Sequence, residues 1–273
     1  MEIYPVQTTL SGALGTAGPE LVAFVGAGGK TTALQRLCTE SAAQGGGILA
    51  TTTTAMFTRQ LSSLGPLFVA NEDDTPLAAR AGEALRGAGV VTLARSYAEH
   101  EKVKGLTPAE VDALWRDGAA GSIFVEADGS RGLPLKAFGE AEPQLPSATT
   151  TVVLVAGLDA LGRPLDEDHV HRAKLLLPLI GAAEGDLVTP RLFAAALALQ
   201  IAKVRALTTG ARVVVLLNKA ESDALTELAA AAAGELLAGA SGDSGPDAAA
   251  HPDRIVAGSL QRNLYRVDSR CTA

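Results

Sequence analysis

Seven residues, Gly26-Ala27-Gly28-Gly29-Lys30-Thr31-Thr32, stand between an apolar run, Leu21–Val25, and a segment of helical character, Thr31–Ala43. Glycines let a backbone turn tightly enough for successive N–H groups to converge. A helix start adds unpaired N–H groups and a partial positive charge. Strand, glycine loop and helix in that order read as a phosphate-binding P-loop. In such a loop Gly26, Ala27, Gly28, Gly29 and Thr32 cradle the phosphates, Lys30 reaches the β- and γ-phosphates, and the Thr31 hydroxyl ligates Mg²⁺. The expected ligand is a nucleoside triphosphate, ATP or GTP, with Mg²⁺. The match has one gap, because Phe24 stands five positions before Gly29, where the full pattern has glycine.

The remainder of the chain alternates in the way this motif requires. Ile48–Thr54, Leu67–Ala70, Val90–Ala94, Ser122–Glu126, Thr151–Ala156, Arg212–Leu217 and Ile255–Ala257 read as strands, apolar along most of their length. Pro76–Arg86, Thr107–Asp117, Thr189–Val204 and Ser222–Ala238 read as helices between them. Thr107-Pro108-Ala109-Glu110 has the form of a capping box with proline at the first helical position. Apolar strands separated by helices predict an α/β, P-loop NTPase-like fold, a mostly parallel sheet covered on both faces. The length suits one domain over residues 1–273, with a segment at about 157–190 inserted at the mouth of the site and a mobile loop at about 239–250.

Two acids close the Ser122–Glu126 strand, in Val125-Glu126-Ala127-Asp128-Gly129. Carboxylates at the carboxyl end of a strand beside a P-loop hold Mg²⁺ or orient a nucleophile, so Glu126 and Asp128 are candidate metal ligands and, with Lys30, candidate catalytic residues. Asn218-Lys219-Ala220-Glu221 follows a strand and has the outline of a guanine-reading turn, with glutamate for the usual aspartate. Asn218 and Lys219 are therefore candidate nucleotide contacts; an ordinary loop start is the alternative. Thr51–Thr54 is either a strand end or a row of hydroxyls lining the site. Arg131, Lys136, His171 and Arg172 are candidates for the charge of an anionic substrate. His169 and His171 converge on a metal only if their segment is extended.

Composition narrows the class. The net charge is −7, and there are one Trp, three Tyr and six Phe in 273 residues. That excludes the basic face and stacking aromatics of a nucleic-acid binder and disfavours anionic membranes. Cys38 and Cys271 imply no disulfide framework, and Cys38 reads as a buried thiol. No apolar run is long enough to span a bilayer, and the N-terminal residues lack a signal-peptide pattern, so a cytoplasmic location is expected.

Taken together, Phe24–Thr32, Thr51–Thr54, Lys104-Gly105-Leu106, Val125–Lys136, Glu142-Pro143 with Pro146, Gly157-Leu158-Asp159, Val170-His171-Arg172 and the Asn218-Lys219 turn resemble the selenium-dependent molybdenum hydroxylase accessory family, the YqeC-type proteins. The resemblance extends over about Leu21 to Gly258. It implies a P-loop NTPase or phosphotransferase that helps to mature a molybdenum hydroxylase, with that enzyme or its cofactor-assembly proteins as partners. Two other readings stay open: a kinase or ligase acting on a small anionic metabolite, and a nucleotide-gated chaperone or carrier for a metallocofactor.

Overall fold

The computed structural model describes residues 6–45, 47–70, 76–239 and 251–268. Strands β1 (Leu21–Gly26), β2 (Ile48–Thr52), β3 (Ala55–Phe57), β4 (Leu67–Val69), β5 (Val90–Ala94), β6 (Ser96–Ala98) and β7 (Lys102–Lys104) fall in the first part of the chain. β8 (Ser122–Glu126), β9 (Leu135–Lys136), β10 (Thr151–Gly157), β11 (Val170–His171), β12 (Arg212–Asn218), β13 (Arg254–Ser259) and β14 (Leu264–Val267) follow. The helices are α1 (Leu10–Leu14), α2 (Lys30–Ala42), α3 (Thr58–Ser62), α4 (Leu77–Leu85), α5 (Pro108–Arg116), α6 (Ala173–Ile180), α7 (Pro190–Leu207) and α8 (Asp223–Gly239).

Nine strands form one sheet in the order β14-β13-β12-β10-β1-β8-β2-β5-β4. Every pairing in it is parallel except β13 with β14. The alternation of side chains along β1 explains why its strands are apolar throughout. Leu21, Ala23 and Val25 join the core under α4 to α8, while Val22 and Phe24 join the core under α1, α2 and α3. Helices thus cover both faces, as the strand pattern requires.

Local signals hold where a cap writes the boundary. Thr107 accepts the Glu110 N–H at 3.2 Å, and Glu110 accepts the Thr107 N–H at 2.7 Å. Thr189 caps α7 by accepting the Leu192 N–H at 3.2 Å. The strand expected over Ile48–Thr54 stops instead at Thr52. There the Thr52 hydroxyl accepts the Thr54 N–H at 3.1 Å, and the chain turns into β3. β3, β7 and β6 then build a separate three-stranded antiparallel sheet.

The second departure is β14, an antiparallel edge strand in a stretch without a sequence signal. Its four residues are half polar, but Tyr265 is fully buried and fills the core beside α1. The 157–190 segment holds a short 3₁₀ turn, β11 and α6, and β11 pairs in parallel with β9. Of the loop expected at about 239–250, Gly239 ends α8 and residues 240–250 lie outside the described residues. Among the described residues no helix is long and apolar enough to cross a membrane.

Candidate functional site

β1, β8, β10 and β12 end at the same edge of the sheet. Phe24 is in register with Glu126, Gly26 with Val155, and Gly157 with Asn218. The carboxyl edge of a parallel sheet is where such folds bind ligands. A cleft of about 990 Å³ opens there.

The glycine loop is tightly held. Gly26, Gly28 and Gly29 have φ of 91°, 80° and 129°, in the region that favours glycine. A Cβ on Gly28 would lie 2.3 Å from the Gly157 nitrogen, so β10 allows no side chain there. Three of the loop's N–H groups already have partners: Gly26 donates to Asp128 at 2.9 Å, Ala27 to the Val155 carbonyl at 2.8 Å and Gly28 to the Leu133 carbonyl at 3.0 Å. Helix α2 begins at Lys30, and its first turn, Lys30 to Thr32, presents N–H groups without intrahelical acceptors to the cleft. The open N–H groups of the loop thus lie toward the start of α2.

Lys30 is buried. Its ammonium donates to the Gly26 carbonyl at 2.8 Å and to the Ser130 hydroxyl at 3.2 Å, and lies 3.2 Å from Asp128 Oδ1. The two acids of the β8 turn separate here. Glu126 lines the cleft and accepts the Thr31 hydroxyl at 2.8 Å. Burial pushes its carboxyl above the ordinary range, with Lys30 and Thr31 opposing. Asp128 has no exposed surface. Its Oδ2 accepts the Gly26 N–H at 2.9 Å and the Lys136 ammonium at 3.0 Å. The geometry therefore sets Glu126 beside Thr31 at the cleft and makes Asp128 the buried counter-charge of two lysines.

Other candidates find different surroundings. The hydroxyls of Thr51, Thr52 and Thr53 donate to the carbonyls of Leu93, Glu126 and Gln144 at 2.7, 2.9 and 2.7 Å, so they lock neighbouring segments together rather than line the cleft. Asn218 is buried. Its amide donates to the Gly28 carbonyl at 2.8 Å and accepts the Leu260 N–H at 3.2 Å, which braces the loop. Lys219 reaches the cleft but pairs with Asp159 at 2.6 Å. Lys136 is fully buried between Asp128 and Glu142, 2.7 Å from the latter, and so is not open to a substrate. His169 bonds to Asp166 at 2.7 Å, and no group of three or more metal-binding side chains exists among the described residues. Cys38 is buried, and burial raises its thiol to about 12.

Glu142 is the residue sequence reasoning passed over, because its partners lie six and thirty positions away. Its carboxylate takes Lys136 and both terminal nitrogens of Arg172. Burial would raise it; hydrogen bonds from Arg172 and Lys136 overcome that and hold it at about 2. His171, next to Arg172, lines the cleft with its imidazole held below its ordinary value by burial and by the cations Arg172, Lys136 and Arg131.

Residues 22–174 match the family model described as YqeC protein. The chain belongs to the YqeC family. The span matched by the YqeC model contains the glycine loop, Glu126, Asp128, Lys136, Glu142, His171 and Arg172, whereas Asn218 and Lys219 lie beyond it. The chain is 37% identical over 160 residues to the YqeC protein of Escherichia coli (strain K12), a match covering 56% of this chain and 58% of the relative. Among solved structures it is similar to chloroplast FtsY from Physcomitrella patens, with 15% identity and a TM-score of 0.46 over 97% of this chain and 66% of that one. The chain thus spans less than two thirds of either relative.

Proposed function

We propose that this YqeC-family protein binds a nucleoside triphosphate with Mg²⁺ at the glycine loop and hydrolyses or transfers its terminal phosphoryl group. The observation that carries this reading is the first turn of α2, where Lys30, the Thr31 hydroxyl and free N–H groups stand against Glu126. A hydroxyl and a carboxylate at hydrogen-bond distance are hard oxygen donors, which suit Mg²⁺. The N–H groups of the turn and the Lys30 ammonium suit phosphate oxygens. Thr31 and Glu126 would hold the metal, which supplies charge neutralisation on the phosphates when bound. Asp128 would hold the Lys30 ammonium at the loop, and Asn218 would hold Gly28 in place.

The finer reading, that the reaction serves maturation of a selenium-dependent molybdenum hydroxylase, is supported by the family alone. It makes that hydroxylase or its assembly proteins the partner. A nucleotide-gated carrier would hydrolyse slowly until such a partner is added; a metabolite kinase would turn over when its acceptor is added.

The loop reading is tested with Lys30→Ala. Binding of ATP and GTP with Mg²⁺, followed by calorimetry, should weaken at least tenfold, about 1.4 kcal/mol. Unchanged affinity in a folded variant would remove the loop as the phosphate site.

A further inference from the structure

The cleft is larger than its glycine loop needs, and its far wall is built differently. β9 and β11 pair Leu135 with Val170 and Lys136 with His171, which draws the 157–190 segment across to the turn after β8. That wall presents Arg131, His171 and Arg172 to the cleft. Arg131 and Arg172 both have left-handed backbone, φ 53° and 61°, a conformation that costs a non-glycine residue energy and concentrates at binding sites.

One cation of this wall lacks an ion-pair partner among the described residues. Lys136 pairs with both Asp128 and Glu142, and Arg172 pairs with Glu142. Glu167 also lines the cleft, but it accepts the Lys174 N–H at 3.0 Å. Arg131 is exposed, and among the described residues no carboxylate lies within ion-pair distance of it. His171 is only 7% exposed, and its ring nitrogens have no hydrogen-bond partner among the described residues. Being neutral, the ring offers one N–H and one acceptor. A largely shielded imidazole facing a cleft without a protein partner, beside a guanidinium without an ion pair, is the arrangement of an oxyanion site that its ligand completes.

We propose that Arg131, His171 and the outer edge of Arg172 form a second subsite, separate from the glycine loop, which binds the oxyanion of a small co-substrate, a phosphate or a carboxylate. The guanidinium of Arg131 would pair with the oxyanion and the His171 N–H would donate to it. Arg172, fixed by Glu142, would set the edge of the subsite. This deepens the phosphotransfer reading and rests on it for what the co-substrate is for. The binding of the anion stands independently.

The probe is inorganic phosphate, followed by ³¹P line broadening, on the Lys30→Ala protein, where the loop's cation is absent. Arg131→Asn is the informative change, because asparagine tolerates the left-handed backbone and the position is exposed. Phosphate should bind Lys30→Ala within about twofold of its wild-type strength at this subsite, and adding Arg131→Asn should weaken it at least tenfold, about 1.4 kcal/mol. His171→Gln should give an intermediate loss. If it fails to fold, the arginine variant decides alone. Arg131→Asn in the wild-type background should leave nucleotide affinity within about twofold. Acetate displacing phosphate would assign the site to carboxylates, and acetate without effect would assign it to phosphates. The proposal fails if Lys30→Ala abolishes phosphate binding while Arg131→Asn spares it. It also fails if Arg131→Asn costs nucleotide affinity as much as phosphate affinity. Loss of the nucleotide reading would look different: no nucleotide binding by the wild type, with phosphate still held by Arg131.

Discussion

The Thr31 hydroxyl donates to Glu126 at 2.8 Å, across 95 residues of sequence. β8 lies directly beside β1, with Phe24 opposite Glu126, so the strand that ends in the carboxylate delivers it to the helix that starts with the hydroxyl. Asp128, two residues on, is carried under the loop to Gly26 and the two lysines. Two acids of one turn thereby acquire separate tasks.

Those tasks predict opposite phenotypes. Glu126→Gln should fold with a melting temperature near that of the wild type and require more Mg²⁺ for nucleotide binding, because a charged hard ligand becomes a neutral one. Asp128→Asn leaves Lys30 and Lys136 without their shared buried anion. It should destabilise the fold by about 3–5 kcal/mol, the usual loss when one partner of a buried pair is removed. Thermal melts and Mg²⁺ titrations of both variants check this. An Asp128→Asn protein of full stability with only a metal defect would reverse the assignment.

The turn after β12 separates bracing from base reading. Asn218→Ala removes the amide that holds the Gly28 carbonyl and should weaken ATP and GTP alike, by about tenfold, roughly 1.4 kcal/mol. If Glu221 reads the base, Glu221→Ala should change the ratio of GTP to ATP affinity without the common loss, and Glu221→Asp should sharpen a preference for GTP. Competition between the two nucleotides for one labelled ligand measures both effects. A ratio that neither change at 221 alters would place base selection elsewhere.

Acid stability should report Glu142. Its carboxyl sits at about 2 in the folded protein against an ordinary 4.5. A depressed carboxylate contributes stability that is complete above about 4.5 and is lost as pH falls toward 2. Glu142→Gln should therefore melt well below the wild type at pH 7, with the gap narrowing between pH 4.5 and 2. His171, held below 6.5, also favours the unfolded state as pH falls, but from a higher pH and in both proteins. A gap that stays constant down to pH 2 would show that Glu142 carries no depressed titration.

The Walker-like loop, the capped starts of α5 and α7 and most strands of the parallel sheet were legible because each is written in neighbouring residues. A cap needs a hydroxyl and an acid three apart, and a strand buried on both faces needs an unbroken apolar run. The candidate residues Lys30, Thr31, Glu126 and Asp128 were legible as types, the chemistry a phosphate and a hard cation call for. β14 was not legible, since an edge strand buries one face only and Tyr265 is its single fully buried side chain.

Where each candidate stands was settled by strand order. Setting β1 between β8 and β10 gives Lys30 its partners about 100 residues away and closes Gly28 against Gly157. Pairing β9 with β11 buries Lys136, inviting as it looked for a substrate, and leaves Arg131 and His171 facing the cleft. The sequence by itself determined most strands of the main sheet, the helices between them and the chemical vocabulary, because backbone propensity and burial act over a few residues. Only the tertiary structure decided which charge meets which, because ion pairs and hydrogen bonds depend on distances that no local pattern encodes.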